Sequence, residues 1–133
     1  MPQRIDDESI QDNDLLWRRI VNIADWVKRA SNGSYRVSSA AFIDGIDGEV
    51  SVCLAALTFQ EGVLLNRPDD GLVEIEAGIP RSLGHAIVRD PTPEDPSHAL
   101  ICPSPNKNPS TRKRDARAMA VAAKWLVKPR NIR

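Results

Sequence analysis

Two short polar segments, each set between apolar runs, hold the residues of this chain that are best suited to chemistry. The first, Arg36-Val-Ser-Ser-Ala-Ala-Phe42, is typical of a strand that carries Arg36, Ser38 and Ser39. Arg36 and Ser38 would share one face of that strand, where a guanidinium beside a hydroxyl can bind a carboxylate or a phosphate. The alternative stays open that Arg36 pairs with an acid and that the serines only allow close packing.

The second segment, residues 90–98, reads Asp-Pro-Thr-Pro-Glu-Asp-Pro-Ser-His and is a loop stiffened by prolines. It brings His98 to the start of another apolar run. Because histidine titrates near neutral pH, His98 and the only other histidine, His85, are candidate acids or bases. A hydrogen-bonded structural histidine is the alternative.

The two segments predict a ligand site if the strand ends that carry them converge. Arg36, Ser38, Ser39 and His98 would then surround an anionic ligand such as a nucleotide phosphate, with both serines and His98 as candidate catalytic groups. No serine is placed by the sequence for proton transfer to His98, since Ser97 is its direct neighbour. The G-x-S-x-G, P-loop, G-x-G-x-x-G and H-E-x-x-H patterns are absent as well.

Metal and cofactor chemistry is not predicted. The two cysteines, Cys53 and Cys102, lie in apolar runs without C-x-x-C or C-x-H spacing, which is typical of buried free thiols. The acids near residues 44–49 and 69–70 fall in turns, which they are expected to stabilise. We therefore expect no metal site and no cofactor.

The basic residues gather at the C-terminal end of the chain. Residues 107–133 hold nine basic residues and one acid, so this segment carries a net charge of +8 and the rest carries −8. The two parts can complement each other within one fold, or the basic end can meet an anionic partner such as nucleic acid. On a final helix the basic stripe would consist of Lys113, Arg114, Arg117, Lys124 and Lys128, with Trp125 close by for stacking on bases.

Size and composition predict one domain of ordinary globular character. The chain has 133 residues, of which 41% are hydrophobic and 27% are charged. A domain of this size can bury a core without disulfides. The N-terminus lacks the apolar segment of a signal peptide, and no window approaches the roughly 18 apolar residues that a membrane span requires. We expect a cytoplasmic protein without membrane contacts.

The pattern of apolar residues predicts a single α+β domain over residues 13–128, between a disordered tail at 1–12 and a short basic tail at 129–133. Helical periodicity predicts an N-terminal helix over 14–30 and a C-terminal helix over about 110–128, both packed on a mainly antiparallel sheet. The expected contacts between helices and sheet involve Trp17, Ile20, Ala24, Val27, Met119, Ala123 and Leu126.

Several short strands are predicted between the two helices. Residues 50–57 fit a strand or a short helix, and as a strand they would form a hairpin with 34–43. A helix is expected over 58–66. The remaining predicted strands are 72–77, 83–88 and 98–102.

The polar segments, together with Leu-Leu-Trp-Arg-Arg-Ile at 15–20, resemble a group of small uncharacterised bacterial proteins. The shared patterns are R-x-S-S-A-A-F at 36–42 and D-P-x-P-x-D-P-x-H-A at 90–99, and the resemblance implies no particular activity. An arginine on a strand with a Ser-Ser pair nearby also resembles the ADP-ribosyltransferase fold. The further strand-borne residues that those enzymes use are not found here.

Three functions are compatible with these patterns. The leading hypothesis is a small cytosolic bacterial binding or accessory module, without catalysis of its own, that contacts another protein or a ligand. The second is a small enzyme or nucleotide-binding domain that uses Arg36, Ser38, Ser39 and His98. The third is nucleic-acid binding through the basic C-terminal helix.

Overall fold

A six-stranded antiparallel sheet organises the molecule, and a separate two-stranded hairpin lies beside it. The computed structural model describes residues 5–43 and 48–130. The strands are β1 (Leu15–Ile20), β2 (Val27–Arg29), β3 (Tyr35–Val37), β4 (Val50–Leu54), β5 (Gly71–Glu76), β6 (Ala86–Arg89), β7 (His98–Cys102) and β8 (Lys124–Val127). In the large sheet their order is β6-β7-β4-β1-β5-β8, and β2 pairs with β3 in the hairpin.

One long helix and several short helical turns complete the fold. The long helix, α3, spans Pro109–Ala122, with α1 at Gln60–Val63 and α2 at Gly78–Ser82. Among the described residues, strands are followed by 3₁₀ helices at Ser39–Phe42 and at Ala55–Leu57. Because helices and an antiparallel sheet share one core, the class is α+β, as the sequence predicts.

The core lies between one face of the large sheet, α3 and the 3₁₀ helix at Ser39–Phe42. Leu16 and Ile20 from β1 are fully buried there, and Met119 from α3 is 1% exposed. Strand residues point alternately to opposite faces, so the residues between these positions face the other side of the sheet. That outer face carries Trp17 and Arg19, and it is only partly covered.

The predicted N-terminal helix over 14–30 is wrong, since this segment forms β1, a turn and β2. Leu16 and Ile20 satisfy helical spacing, but in the structure they share the inner face of a strand with Arg18, which is 7% exposed. A charged residue on the buried face hides the alternation that would have marked the strand. Of the predicted contacts here, Ile20 and Val27 are buried, Trp17 is half-buried and Ala24 is exposed.

The predicted C-terminal helix is present but shorter than expected. It ends at Ala122, and residues 124–127 form an edge strand that pairs with β5. Met119 is buried as expected, whereas Ala123 and Leu126 are only half-buried. Lys124 and Lys128 therefore do not lie on the helix that carries the other basic residues.

The strands over 72–77, 83–88 and 98–102 are confirmed with small shifts of their ends. Residues 50–57 form a strand followed by a 3₁₀ helix, but their predicted hairpin with 34–43 is wrong. Instead, β4 pairs with β1 and β7, and β3 pairs with β2. The predicted helix over 58–66 shrinks to α1, and residues 44–47 lie outside the described residues.

Residues 5–12 do not form the predicted disordered tail. The backbone N–H of Asp7 donates to the carbonyl of Ile87 at 2.8 Å, and Ile10 is 3% exposed within the core. Asp6 pairs with Arg81 at 3.1 Å. Residues 1–4 and 131–133 lie outside the described residues, as does most of the predicted basic tail. Within the described ranges, no helix has the length and apolar character needed to cross a membrane.

Candidate functional site

The outer face of the sheet forms the floor of a groove with a volume of about 810 Å³. Three neighbouring strands supply this floor, because Trp17 on β1 lies opposite Cys53 on β4, and Cys53 lies opposite His98 on β7. Ser51 and Arg19 also line the groove. The Trp17 indole is held in place by a 3.0 Å hydrogen bond to the carboxylate of Glu74.

The segment that follows β4 forms an apolar wall of the groove. Leu57, Phe59 and Leu65 line it and are 48%, 63% and 76% exposed, which is unusual for large apolar side chains. Arg67 follows on the same wall. The proline-rich loop also lines the groove, through Glu94, Asp95 and Pro96.

His98 is held between two polar groups at the edge of this groove. Its Nε2 atom contacts the hydroxyl of Ser51. Its Nδ1 atom faces two oxygens of Asp90, the backbone carbonyl at 3.0 Å and the carboxylate at 3.1 Å. Because both oxygens only accept hydrogen bonds, they favour the neutral tautomer with the proton on Nδ1, in which Nε2 accepts a hydrogen bond from the Ser51 hydroxyl.

The strand register explains how Ser51 and His98 meet. The direct partner of Ser51 across β4 and β7 is Leu100, and His98 lies two residues away on the same face. Such diagonal neighbours are within reach of a long or aromatic side chain. Ser51 is not among the residues predicted from the sequence, since nothing local links it to a histidine 47 residues away. The signal that could have found it is the polar residue between two buried valines in Val-Ser-Val.

Cys53 lies beside this pair but differs chemically. Its thiol contacts the carboxylate of Asp95 at 3.7 Å, and burial raises the pKa of the thiol. Cys53 therefore stays protonated at neutral pH and is a poor nucleophile. Cys53 and Cys102 are not joined by a disulfide; Cys102 is buried, as predicted, and Cys53 is half-buried.

A second cavity, of about 560 Å³, brings together residues from the other polar segment. Arg36, Ser38 and Ser39 line it along with Arg117 from α3 and Trp125 from β8. The hydroxyl of Ser38 already has a structural role, because it accepts a hydrogen bond from the backbone N–H of Ala40 and caps the 3₁₀ helix. Among the described residues, no carboxylate forms an ion pair with Arg36 or Arg117.

The predicted joint site of Arg36 with His98 is not formed. Arg36, Ser38 and Ser39 line one cavity, and His98 lines the other. The basic residues predicted for nucleic-acid binding are also divided. Three of them lie on α3, where Arg117 lines the second cavity and Lys113 and Arg114 are exposed. The other two lie beyond the helix, since Lys124 is on β8 opposite Glu74 and Lys128 follows that strand.

The described residues contain no group of three or more side chains suited to holding a metal ion. Comparison of the chain with protein-family models, with curated proteins and with solved structures finds no match. The two cavities are therefore the features of the structure from which a function can be proposed.

Proposed function

We propose that this protein is a small ligand-binding module and that the groove on the outer sheet face is its binding site. The carrying observation is that exposed apolar side chains and the Ser51–His98 pair line one concavity. The volume, about 810 Å³, falls within the range of small-molecule sites. A site of this kind binds the apolar body of a ligand and orients it through a few polar groups.

The charges of the groove favour an uncharged ligand. Arg19 is already paired with Asp70 at 3.1 Å, so its charge is largely compensated. The two further arginines that line the groove, Arg18 and Arg67, are balanced in number by the carboxylates of Glu94 and Asp95. Without an excess of positive charge, the groove suits a neutral molecule with a carbonyl or ether oxygen better than a phosphate.

Nile red, a neutral apolar dye with one carbonyl group, is a direct probe of this groove. The double variant Phe59→Ser and Leu65→Ser removes apolar surface that is largely exposed, so the fold should be retained. We expect its affinity for the dye to fall about tenfold or more, because each lost apolar contact costs about 1 kcal/mol or more. Ile5→Ser, at an apolar side chain that is 86% exposed and lies outside both cavities, is the matched control.

Equal dye affinity in the wild type and the double variant would overturn the proposal. Loss of affinity in the Ile5→Ser control to the same extent would do so too, since it would show unspecific adsorption. Protection of the backbone amides of 57–67 by the dye in hydrogen exchange would support it. A protein partner in place of a small ligand stays a prediction from the sequence.

A second candidate function is supported by the second cavity. Two guanidinium groups that have no carboxylate partner among the described residues lie with the exposed Val121 and the half-buried Trp125 in this cavity. This lining suits a short anionic segment, such as single-stranded nucleic acid. A fluorescein-labelled 12-mer of deoxythymidine tests this. For the wild type, we expect the logarithm of the binding constant to fall with the logarithm of the salt concentration with a slope of about −1.4. The double variant Arg36→Ala and Arg117→Ala should not bind, and the control Arg130→Ala should bind like the wild type. Absence of binding at low salt would exclude this function.

A further inference from the structure

The hydrogen-bonded chain Ser51–His98–Asp90 has the connectivity of a nucleophile, a general base and an orienting acid. We infer that Ser51 is a nucleophile for acyl transfer and that this protein hydrolyses small, uncharged esters in the groove. This inference rests on the proposed ligand site, because the same apolar walls would hold the body of the ester. It adds a reaction to what is otherwise only a binding site.

The position of Ser51 meets the first requirement for this role. Ser51 is exposed on the outer face, so its hydroxyl can reach a substrate in the groove. Its backbone is fixed because β4 is an inner strand, with β1 on one side and β7 on the other. A nucleophile held on an ordered strand keeps its distance to the base without loop motion.

His98 meets the second requirement, that of a base in the correct tautomer. Two acceptors on Asp90 hold the proton on Nδ1, which leaves the lone pair of Nε2 directed at the Ser51 hydroxyl. The His98 side chain is 23% exposed and that of Asp90 is 51% exposed, so the pair is partly shielded from solvent. The Asp90 carboxylate would also stabilise the imidazolium that forms when His98 accepts a proton.

The proposed reaction needs only water as co-reactant. The Ser51 oxygen attacks the ester carbonyl carbon while its proton moves to His98 Nε2. The tetrahedral intermediate then breaks its bond to the leaving oxygen, which takes the proton from His98 and departs as an alcohol. Water attacks the acyl-serine and gives its proton to His98. The bond to Ser51 breaks, the serine oxygen regains the proton, and a carboxylic acid is released.

Arg19 is the group best placed to stabilise the negative oxygen of the intermediate. It lines the same groove and projects from the same strand face as Trp17. Its contact with Asp70 involves one terminal nitrogen, which leaves other N–H donors of the guanidinium. Although Asp70 compensates much of the charge of Arg19, these remaining N–H groups can donate hydrogen bonds to the developing oxyanion and so stabilise the transition state more than the ground state.

Two probes test this inference on the full chain. A fluorophosphonate–rhodamine probe should label the wild type at Ser51, as located by peptide mass mapping. Hydrolysis of p-nitrophenyl butyrate should fall at least about 100-fold in Ser51→Ala and in His98→Ala. Ser110→Ala, at an exposed serine on α3 outside both cavities, should be labelled and should hydrolyse the ester as the wild type does.

Asp90 is tested as a positioning residue. Asp90→Asn removes the carboxylate charge but keeps the backbone carbonyl that faces Nδ1. We expect kcat to fall about tenfold with KM unchanged, which a merely structural loop residue would not produce. An unchanged kcat would show that the carboxylate plays no part.

The outcome for the reaction can be separated from the outcome for the binding site. If Nile red binds in the groove but Ser51 is neither labelled nor required for ester hydrolysis, the catalytic inference fails and the binding site stands. If Ser51 is labelled while the double variant Phe59→Ser and Leu65→Ser binds the dye like the wild type, the proposed binding site fails. Ser51 is then still a nucleophile, but the apolar walls do not hold the ester. Labelling of Ser51 that persists in His98→Ala would overturn the role of His98 as base.

Discussion

The Nε2 atom of His85 lies 2.9 Å from a carboxylate oxygen of Asp115, and both side chains are almost fully buried. Lys107 contacts the same carboxylate oxygen. Burial lowers the pKa of His85, and the nearby charge of Lys107 lowers it further although Asp115 opposes this. For Asp115, burial alone would raise the pKa, but the hydrogen bonds from Lys107 and His85 outweigh it and hold the pKa below its usual value.

We expect this cluster to make the protein less stable in mild acid. Because the folded protein lowers the pKa of His85, the unfolded chain binds a proton more readily as the pH falls below about 6.5. Asp115 contributes stability that is present above its ordinary pKa of 3.8 and is lost as the pH falls through the lower, folded value. We expect the urea midpoint to decrease from pH 7.5 to 5.5 and this decrease to shrink in His85→Gln. An identical decrease in the variant would contradict the assignment.

A second prediction concerns Arg18, whose guanidinium is buried between strands. Its Nε donates to the carbonyl of Ala41 at 3.1 Å, one Nη donates to the carbonyl of Ser51 at 2.9 Å, and the group lies 4.8 Å from the centre of the Trp26 ring. Lysine cannot make this forked contact. We expect Arg18→Lys to lower the free energy of unfolding by about 2–4 kcal/mol.

The neighbouring arginine provides the matched control for that experiment. Arg19 is half-exposed and forms a single ion pair, so Arg19→Lys should change stability by less than about 1 kcal/mol. Urea unfolding followed by tryptophan fluorescence measures both variants. Equal losses would show that the buried forked contact is not what stabilises the fold.

A third prediction tests the packing of α3 on the sheet. Met119 is 1% exposed, and Met119→Ala should cost about 2–5 kcal/mol through lost burial and the cavity that remains. Val121 on the same helix is 80% exposed, so Val121→Ala should stay within about 0.5 kcal/mol of the wild type. Leu126→Ala should fall between the two, because Leu126 is half-buried on β8. A Met119→Ala variant as stable as the wild type would refute this packing.

A fourth prediction concerns the place where the edge strand β8 meets β5. A Cβ atom added at Gly71 would lie 2.7 Å from the Trp125 ring and 2.9 Å from Cδ of Pro129. Gly71→Ala should therefore cost about 1–3 kcal/mol and displace Trp125, which is visible as a shift in tryptophan emission. At Gly62 the nearest atoms belong to the exposed Phe59 ring at 3.3 Å, which can move. Gly62→Ala should be neutral or stabilising, and a loss there like that at Gly71 would contradict the steric explanation.

The sequence by itself determined the class of fold and several of its elements. Alternation of apolar and acidic residues marks β5, and prolines on both sides delimit β7, because these signals are local to the segment. The start of α3 is also local, since the side chain of Asn108 caps it and Pro109 occupies its first turn. A small α+β domain with a C-terminal helix follows from these patterns.

Only the tertiary structure decided the N-terminal strands and the sites. The apolar spacing of 15–20 fits a helix or a strand, and pairing with both β4 and β5 settles it as a strand. Likewise, Ser51 meets His98 because β4 and β7 are antiparallel in one particular register. Arg36 and Arg117 share a cavity because the 3₁₀ helix that follows β3 packs against α3. Such contacts depend on strand order and register, which residues far apart in the chain establish together, so no local pattern could reveal them.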